Sequence, residues 1–343
     1  MTALSRLRAP IGAVVLGLGI LAAGLTLLGY DAGAALAALG RGAFGSWYAV
    51  TSATLVRAVP LIVIGLGIAI SFRAGALNIG AEGQFAAGAM AATAAALAVG
   101  RWPAIAAVPA VLVAGAVGGA AWVAIPVVLR ARYRVQEVIS TLLLNFVADA
   151  LVSFMVQGPL QESKRIYPQS DPIAAAARLP LVPGTRLHLG FFLAIVLVGV
   201  VAVIFSRTIW GFRLKAVGEA PLAAVVTGRI DVDRTVAGAL LWSGALAGLA
   251  GALEVSGVTY ALFQNLSPGY GFTAIAVALI ARLDPIAILI AGLGFGALEA
   301  GAAGMQRDAG VPAVAVSVVQ ATIIVVALLT IARARLGRGE AAA

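Results

Sequence analysis

Charge is scarce in this chain, and several residue types on which chemistry depends are missing. Only 11% of the 343 residues are charged, whereas 62% are hydrophobic. Cysteine is absent, which excludes disulfides and thiol chemistry. His188 is the only histidine, so a metal site built from several histidines and most base catalysis are excluded. We expect His188 to lie at a surface or interface. The chain lacks a Gly-x4-Gly-Lys-Ser/Thr phosphate-binding loop, so it cannot hydrolyse ATP with such a loop. It also lacks a Gly-x-Ser-x-Gly nucleophile turn, which makes it a poor candidate for a membrane enzyme.

Long apolar runs separated by short charged gaps make up most of the chain. A hydrocarbon core about 30 Å thick needs roughly 20 apolar residues per helical crossing, and its backbone groups must pair within the span. The sequence therefore predicts an all-α polytopic membrane protein with a single domain and about ten transmembrane helices. The predicted spans are 11–28, 54–72, 82–99, 103–129, 137–157, 189–205, 235–256, 271–281, 285–304 and 312–331.

Basic residues predict the orientation of these spans, because loops on the cytoplasmic side are enriched in lysine and arginine. Alternate gaps hold 15 of the 23 basic residues when both termini are placed in the cytoplasm. The excess of positive charge fits contact with anionic lipid, and no basic patch interleaved with aromatics indicates a nucleic-acid partner. The first run, with an Ala-x-Ala pattern at 35–37, also resembles a signal peptide, but its length favours a retained helix.

Two predicted spans, the third and the eighth, are interrupted or short. Polar and glycine residues at 75–84 precede the third, and Pro268 and Gly269 precede the eighth. If 54–157 and 235–332 are equivalent helix sets, the weak spans hold matching places in two halves of opposite orientation. Such inverted, interrupted segments point to a translocation site near the midplane. The segment 158–188 is then an external loop and 207–234 a cytoplasmic loop.

Polar side chains inside apolar runs are candidates for that site, because an ionised group at the bilayer centre costs at least about 2.5–3.5 kcal/mol. Glu82 and Glu137 are also explained as acids at helix N-termini, and Asp149 and Glu299 as groups that reach water. Amides suit an uncharged ligand that carries hydroxyls and ring nitrogens. The candidate pathway residues are Asn78, Glu82, Gln84, Asn145 and Glu254.

The cytoplasmic loop contains the pattern of a short amphipathic helix. Pro221 suits a first helical turn, Glu219 favours the positive end of the helix dipole, and Gly228 can end the helix. From the residues alone, this helix is either a simple connection between two spans or a contact surface on which a soluble motor protein exerts force.

Five motifs then make the chain resemble a known family. They are FRAGALNIGAEGQ at 72–84, EVISTLLLN at 137–145, the loop 211–228, GFTAIAVAL at 271–279, and GMQ at 304–306 with Val311-Pro312. Together they resemble permease subunits of bacterial ABC importers for nucleosides, within the wider class of ribose and branched-chain amino acid permeases. Ala220 and Asp284 depart from the family pattern, which commonly has asparagine at both positions.

The resemblance implies a larger assembly in the bacterial plasma (inner) membrane. It implies a second homologous permease, a cytoplasmic ATPase subunit with two nucleotide-binding halves, and an extracytoplasmic substrate-binding lipoprotein. This chain would hold no cofactor, with ATP and magnesium bound by the ATPase. The coupling residues that contact the ATPase would be Gly218, Glu219, Pro221, Ala223, Ala224 and Gly228.

Two alternatives remain at this point. The first is the same machine with a simple sugar or a branched-chain amino acid as its cargo. The second is an ion-coupled secondary carrier that uses Glu82, Asp149 or Glu254 and needs no ATP.

Overall fold

The computed structural model describes residues 17–226, 230–312, 318, 321, 322 and 325. These residues form helices and loops, with no strand among them and two isolated β-bridges, Gln169 to Phe263 and Leu181 to His188. In chain order the helices are α1 Gly17–Leu27, α2 Ala32–Phe44, α3 Trp47–Arg73, α4 Ala81–Ala98, α5 Ala104–Tyr133, α6 Glu137–Gln157, α7 Gly190–Arg207, α8 Ile209–Glu219, α9 Pro221–Val226, α10 Val232–Thr259, α11 Tyr270–Ile280 and α12 Pro285–Ala309.

Six of the described helices are long and apolar enough to cross a membrane, namely α3, α5, α6, α7, α10 and α12. The two spans predicted to be weak correspond to α4 and α11, which are not among the six. With 11 residues, α11 extends only about 16 Å, which is half of a hydrocarbon core. The count of ten spans stays a prediction, since most of span 312–331 and the start of span 11–28 lie outside the described residues.

Several predicted boundaries are wrong by a few residues, although α6 agrees with its predicted span at both ends. The second span starts earlier, because α3 begins at Trp47 and passes through a π-helical turn at Val50–Thr54. The ninth extends to Ala309. Helices α2 and α8 were not predicted, since neither has the length or apolar character of a span.

Residues Ala58–Gly292 form one compact unit, whose centre is built from α4, α5 and α10. Small residues allow these three helices to approach closely. A Cβ atom added to Gly88 of α4 would lie 2.2 Å from the Cα atom of Gly248 in α10, so neither position tolerates a larger residue without displacing a helix. Alanines of α4 and apolar residues of α5, α6 and α10 fill the adjacent core.

Of the described residues, 17–57 and those from Leu293 onward belong to a second compact unit. In its described part, Leu21 and Leu25 of α1, Ala35 and Ala38 of α2 and Met305 of α12 share one buried cluster. The Thr54 hydroxyl donates a hydrogen bond of 2.8 Å to the carbonyl of Ala43, which links the end of α2 to α3.

The segment between α6 and α7 is hydrogen-bonded to the last turn of α10 and to the connection between α10 and α11. The backbone amides of Ser170, Ile173 and Leu179 donate to the carbonyls of Leu262, Tyr260 and Ser256 at 2.8–2.9 Å. The Arg178 guanidinium lies 4.7 Å from the centre of the Tyr260 ring. The segment is therefore a packed part of the 58–292 unit.

A surface position for His188 was the wrong expectation. Its side chain is 1% exposed, and a Cβ added to Gly190 or Gly257 would meet its ring within 2.6 Å. Burial lowers the pKa of His188 to about 4, so the imidazole is neutral at physiological pH. It has a packing role in this segment.

Candidate functional site

A break in the helical path precedes α4 and is organised by one buried asparagine. The Asn78 amide donates to Gln84 Oε1 at 2.8 Å and to Ser243 Oγ at 2.9 Å. Its carbonyl oxygen accepts from Gln84 Nε2 at 2.8 Å and from the Gly80 amide at 3.0 Å. All four hydrogen-bonding positions of Asn78 are thus occupied, and its side chain is fully buried.

Helix α6 is attached to the same break by a second asparagine. Asn145 Oδ1 accepts from the Gly83 amide at 2.8 Å, and its Nδ2 donates to the Ile79 carbonyl at 3.0 Å. The Thr141 hydroxyl accepts from the Ile79 amide at 3.3 Å. The motif 137–145 therefore serves to hold the non-helical backbone before α4, whose polar groups would otherwise lack partners in an apolar environment.

Glu82 joins the first turns of α4 and α11. Its Oε2 atom accepts from the Gly271 amide, near the start of α11, at 2.6 Å. A Cβ atom on Gly271 would lie only 2.3 Å from the Glu82 nitrogen, so glycine is required for this approach. Because the first amides of a helix have no acceptor within the helix and its N-terminus is the positive end of the dipole, a carboxylate is favoured between these two N-termini. We call the group Asn78, Glu82, Gln84, Asn145, Ser243 and Gly271 the polar junction.

A cavity of about 290 Å³ lies beside the polar junction. Its walls come from α4, α6, and the α10–α11 connection with the start of α11, and they combine carboxylates, amides and phenyl rings. The groups that give it this character are Glu82, Phe85, Asn145, Phe146, Asp149, Asn265 and Phe272. Carboxylates and amides can bind hydroxyl and amine donors, while phenyl rings can stack on a planar group.

The structure divides the five predicted pathway residues into two groups. Glu82 and Asn145 line the cavity, whereas Asn78, Gln84 and Glu254 (a residue of α10) are buried and do not line it. Sequence reasoning missed Asn265 and Ser243, which lie far along the chain from α4 and have no motif of their own. Within the described part of the chain, no group of three His, Asp or Glu side chains is placed to hold a metal ion.

The predicted coupling loop contains two helices, so the basic residues that precede the predicted short helix are themselves helical. Helix α8 ends at Glu219, Ala220 breaks the path, and α9 begins at Pro221 as predicted. Glu219 lies at the end of α8, where its carboxylate is 3.9 Å from Lys215 Nζ. Gly228 lies outside the described residues.

The side chains of α8 and α9 divide into buried and strongly exposed groups. Ala224 is 5% exposed and packs with Ala76, Val217 and Val236. Gly218 fits closely against the end of α3, since a Cβ there would lie 2.2 Å from the Arg73 carbonyl oxygen. The outer side combines the charged residues Arg213, Lys215 and Glu219 with large exposed apolar residues, which are Ile209, Phe212, Leu222, Val225 and Val226.

A shallow cavity of about 460 Å³ lies on this outer side. Three of the predicted coupling residues line it, namely Glu219, Ala223 and Ala224, together with Phe212 and Ile230. Exposed apolar residues gathered around a concavity are typical of a protein-binding surface.

Residues 50–328 match the family described as branched-chain amino acid transport system / permease component. No solved structure matches the chain significantly. The chain is 39% identical over 281 residues to the glucose ABC transporter permease protein TsgB13 of Haloferax volcanii, covering 79% of this chain and 73% of that protein.

Two similar proteins come from Bacillus subtilis. The guanosine ABC transporter permease protein NupP is 34% identical over 325 residues, which is 94% of this chain and 92% of that protein. The guanosine ABC transporter permease protein NupQ is 30% identical over 261 residues, which is 72% of this chain and 79% of that protein. With most of its length matched and six helices able to cross a membrane, the chain belongs to the branched-chain amino acid transport system permease family and is a multi-pass ABC transporter permease.

Proposed function

We propose that this chain forms part of the translocation pathway of an ATP-driven importer for nucleosides. The observation that carries the proposal is the cavity at the meeting point of the starts of α4 and α11, which is lined by Glu82, Asn145, Asp149 and three phenyl rings. A nucleoside has a planar base for the rings and hydroxyl and amine donors for the carboxylates and amides. The guanosine permease NupP, which aligns over nearly the whole chain, supports the same cargo class.

Transport would proceed by alternating access, with the energy supplied from outside this chain. A separate cytoplasmic ATPase subunit with two nucleotide-binding halves would bind ATP and magnesium. Its closure would move α9, and Ala224 and Gly218 would transmit that movement to α3 and α10, against which they pack. The helices would then reorient around the cavity, and Glu82 would keep the starts of α4 and α11 together during the change.

The proposed setting is the bacterial plasma membrane, with both termini and the α8–α9 segment in the cytoplasm. Residues 54–157 and 235–332 would form two inverted helix sets within ten spans. The matching non-helical breaks before α4 and before α11 support this arrangement. A substrate-binding lipoprotein would deliver the nucleoside on the side of the 158–188 segment.

A second homologous permease would complete the pore. The presence of two guanosine permease proteins in one Bacillus subtilis strain, both similar to this chain, supports a pair of different permeases.

A simple sugar is the second candidate cargo, because the glucose permease TsgB13 is 39% identical to this chain. The two cargoes differ in the planar base, which only a nucleoside can stack on the phenyl rings.

The test is uptake of radiolabelled guanosine and glucose by cells that express the complete transporter. We expect guanosine uptake that unlabelled nucleosides inhibit and a 100-fold excess of glucose does not. Glu82→Gln should lower uptake at least tenfold at unchanged membrane abundance, because the amide weakens the bond to Gly271. Preferential uptake of glucose would refute the nucleoside assignment, and uptake by this chain alone after ATP depletion would favour an ion-coupled carrier.

Coupling can be tested separately at the α8–α9 segment. Pro221→Ala and Glu219→Gln should lower ATP-driven uptake while substrate still binds to the delivery protein and the chain still inserts. Asp233→Asn, an acid in the first turn of α10, serves as a control outside the proposed contact. Full uptake by both coupling variants would argue against this role.

A further inference from the structure

We propose that Asn265, in the connection between α10 and α11, recognises the base of the transported nucleoside by hydrogen bonding to its edge. The inference rests on the proposed function, because it assigns a specificity-determining side chain to the same cavity. Asn265 belongs to none of the five sequence motifs, and it is brought to the cavity only by the fold.

The first observation is that the Asn265 amide lines the cavity with its hydrogen-bonding groups unused. Asn145 lines the cavity as well, but its Oδ1 accepts from the Gly83 amide and its Nδ2 donates to the Ile79 carbonyl. The side chain of Asn265 is exposed and forms no hydrogen bond with any residue that the structure describes. It is therefore available to a ligand, whereas Asn145 is committed to the fold.

The chemistry of the other polar groups indicates which part of the ligand Asn265 binds. Glu82 and Asp149 also line the cavity, and an ionised carboxylate can only accept hydrogen bonds. Ribose hydroxyls can donate to them. A nucleobase also carries carbonyl oxygens or ring nitrogens, and these acceptors need a donor from the protein. An amide supplies a donor beside an acceptor, so we assign the base to Asn265 and the ribose to the carboxylates.

An aromatic ring on the same wall of the cavity supports this assignment. Phe272, in the first turn of α11, lines the cavity and is 48% exposed, so one face of a base can stack on it. The ring of Phe85 is fully buried and packs edge-on against Tyr270, which makes it unavailable for stacking. Asn265 and Phe272 together offer a hydrogen-bonding amide and a stacking surface, which a planar base can use at once.

The loop that carries Asn265 is held by hydrogen bonds on both sides of this residue. The Leu262 amide donates to Ser170 Oγ at 3.0 Å, and the Ser170 amide donates to the Leu262 carbonyl at 2.8 Å. On the other side, Ser267 Oγ accepts from the Tyr270 amide at 3.0 Å. A loop fixed in this way loses little conformational entropy when a ligand binds, so its amide can discriminate between ligands.

The backbone of Asn265 offers a different explanation for the residue type. Its φ of 56° lies in the left-handed region, which favours glycine and also accommodates asparagine and aspartate. A purely conformational role predicts that glycine or aspartate can replace Asn265 without loss of transport. Recognition of the base predicts a loss with both, because neither residue carries an amide.

Uptake of guanosine by the complete transporter, with the substrate-binding protein saturated, separates these two explanations. We expect Asn265→Gly and Asn265→Asp to lower the maximal rate at least tenfold at unchanged membrane abundance and Tm. Gln157→Glu makes the same change from amide to acid at an exposed residue that does not line the cavity, and it should keep the wild-type rate. Wild-type rates in both Asn265 variants would overturn the proposal.

Photo-labelling locates the base directly in the wild-type transporter. One guanosine probe carries an azide on the base and a matched probe carries it on the ribose, and the labelled peptides are identified by mass spectrometry. We expect the base-borne azide to label residues 262–267 at least fivefold more than the ribose-borne azide. Equal labelling by the two probes, or labelling by the base-borne azide only outside this loop, would overturn the assignment.

Uptake by the wild-type transporter distinguishes failure of this inference from failure of the proposed function. If the wild type carries guanosine while the Asn265 variants match it, the recognition of the base by Asn265 is wrong and the nucleoside assignment stands. If the wild type carries glucose in preference to guanosine, the proposed function is wrong and the role of Asn265 is refuted with it.

Discussion

The polar junction and the α8–α9 segment differ in how far their side chains are buried and bonded to other groups of the same chain. At the junction, Asn78 is fully buried and makes four hydrogen bonds to neighbouring groups. In the α8–α9 segment, Leu222 and Val226 are 82% and 86% exposed. A saturated, buried group fixes geometry, whereas an exposed apolar group is available to another protein. Substitutions should therefore affect folding at the junction and assembly at the segment.

The largest effect on stability is expected for Asn78→Asp. Aspartate cannot donate, so Gln84 Oε1 and Ser243 Oγ lose their donor and a charge is buried next to them. We expect a loss of at least about 3 kcal/mol in the free energy of unfolding, seen as a lower Tm in detergent. Asn265→Asp, at an exposed asparagine, is the matched control. Equal Tm values for the two variants would show that the junction does not fix the fold.

A smaller effect is expected from enlarging a buried alanine of α9. Ala224→Leu overfills the cluster with Ala76, Val217 and Val236, at a cost of about 1–3 kcal/mol. Ala223→Leu, at the exposed neighbour, should change stability by less than about 0.5 kcal/mol. Hydrogen exchange of residues 221–226 measures the difference. Similar exchange in both variants would mean that α9 is not anchored through Ala224.

A local, pH-dependent effect is expected at Glu162. It tests whether a carboxylate that accepts several hydrogen bonds also stabilises the local structure of the segment between α6 and α7. Hydrogen bonds from the Gln169 side chain, and from the Tyr167 and Ile166 amides, lower the pKa of Glu162. The stabilisation is therefore present above the ordinary glutamate pKa and is lost as the pH falls through the lowered value.

Glu162→Gln should consequently speed hydrogen exchange of residues 162–169 at pH 7, and the difference from wild type should vanish in strong acid. Glu219→Gln, at an exposed carboxylate, should leave exchange in 162–169 unchanged. A difference that persists unchanged in acid would contradict the proposed cause.

The smallest effect is expected for Lys215→Ala in the α8–α9 segment. The ammonium lies 3.9 Å from the Glu219 carboxylate, and the two side chains are 57% and 70% exposed. Solvent screens such pairs, so the free energy of unfolding should change by less than about 0.5 kcal/mol. A double-mutant cycle with Glu219→Ala isolates the pair. A coupling above about 1 kcal/mol would show that this segment is more tightly bonded than its exposure suggests.

The sequence was sufficient where a feature depends on local composition. Apolar runs predicted the membrane class, and α6 lies at its predicted bounds. Glycines and polar residues before α4, and Pro268 and Gly269 before α11, predicted the two breaks, because these residues oppose an apolar helix in their own neighbourhood. The start of α9 at Pro221 follows from the fixed backbone angle of proline.

The sequence was insufficient where a feature depends on partners far along the chain. Five polar residues were grouped as a pathway, yet Asn78 bonds both to Gln84 and to Ser243, which lies 165 residues further along the chain. Glu82 lies in the first turn of α4, as the helix-end interpretation predicted, and its carboxylate also bonds to the start of a different helix, 189 residues away.

By itself, the sequence determined that this protein is a bundle of membrane helices with two interrupted members, because the transfer of each segment into lipid depends on that segment's own residues. Only the tertiary structure decided that Asn78 and Gln84 hydrogen-bond to buried groups of the same chain. It likewise decided that three other polar side chains line a cavity, namely Glu82, Asn145 and Asp149. The direction of a polar side chain is set by whichever donor or acceptor the folded chain places within about 3 Å of it, and no local pattern carries that information.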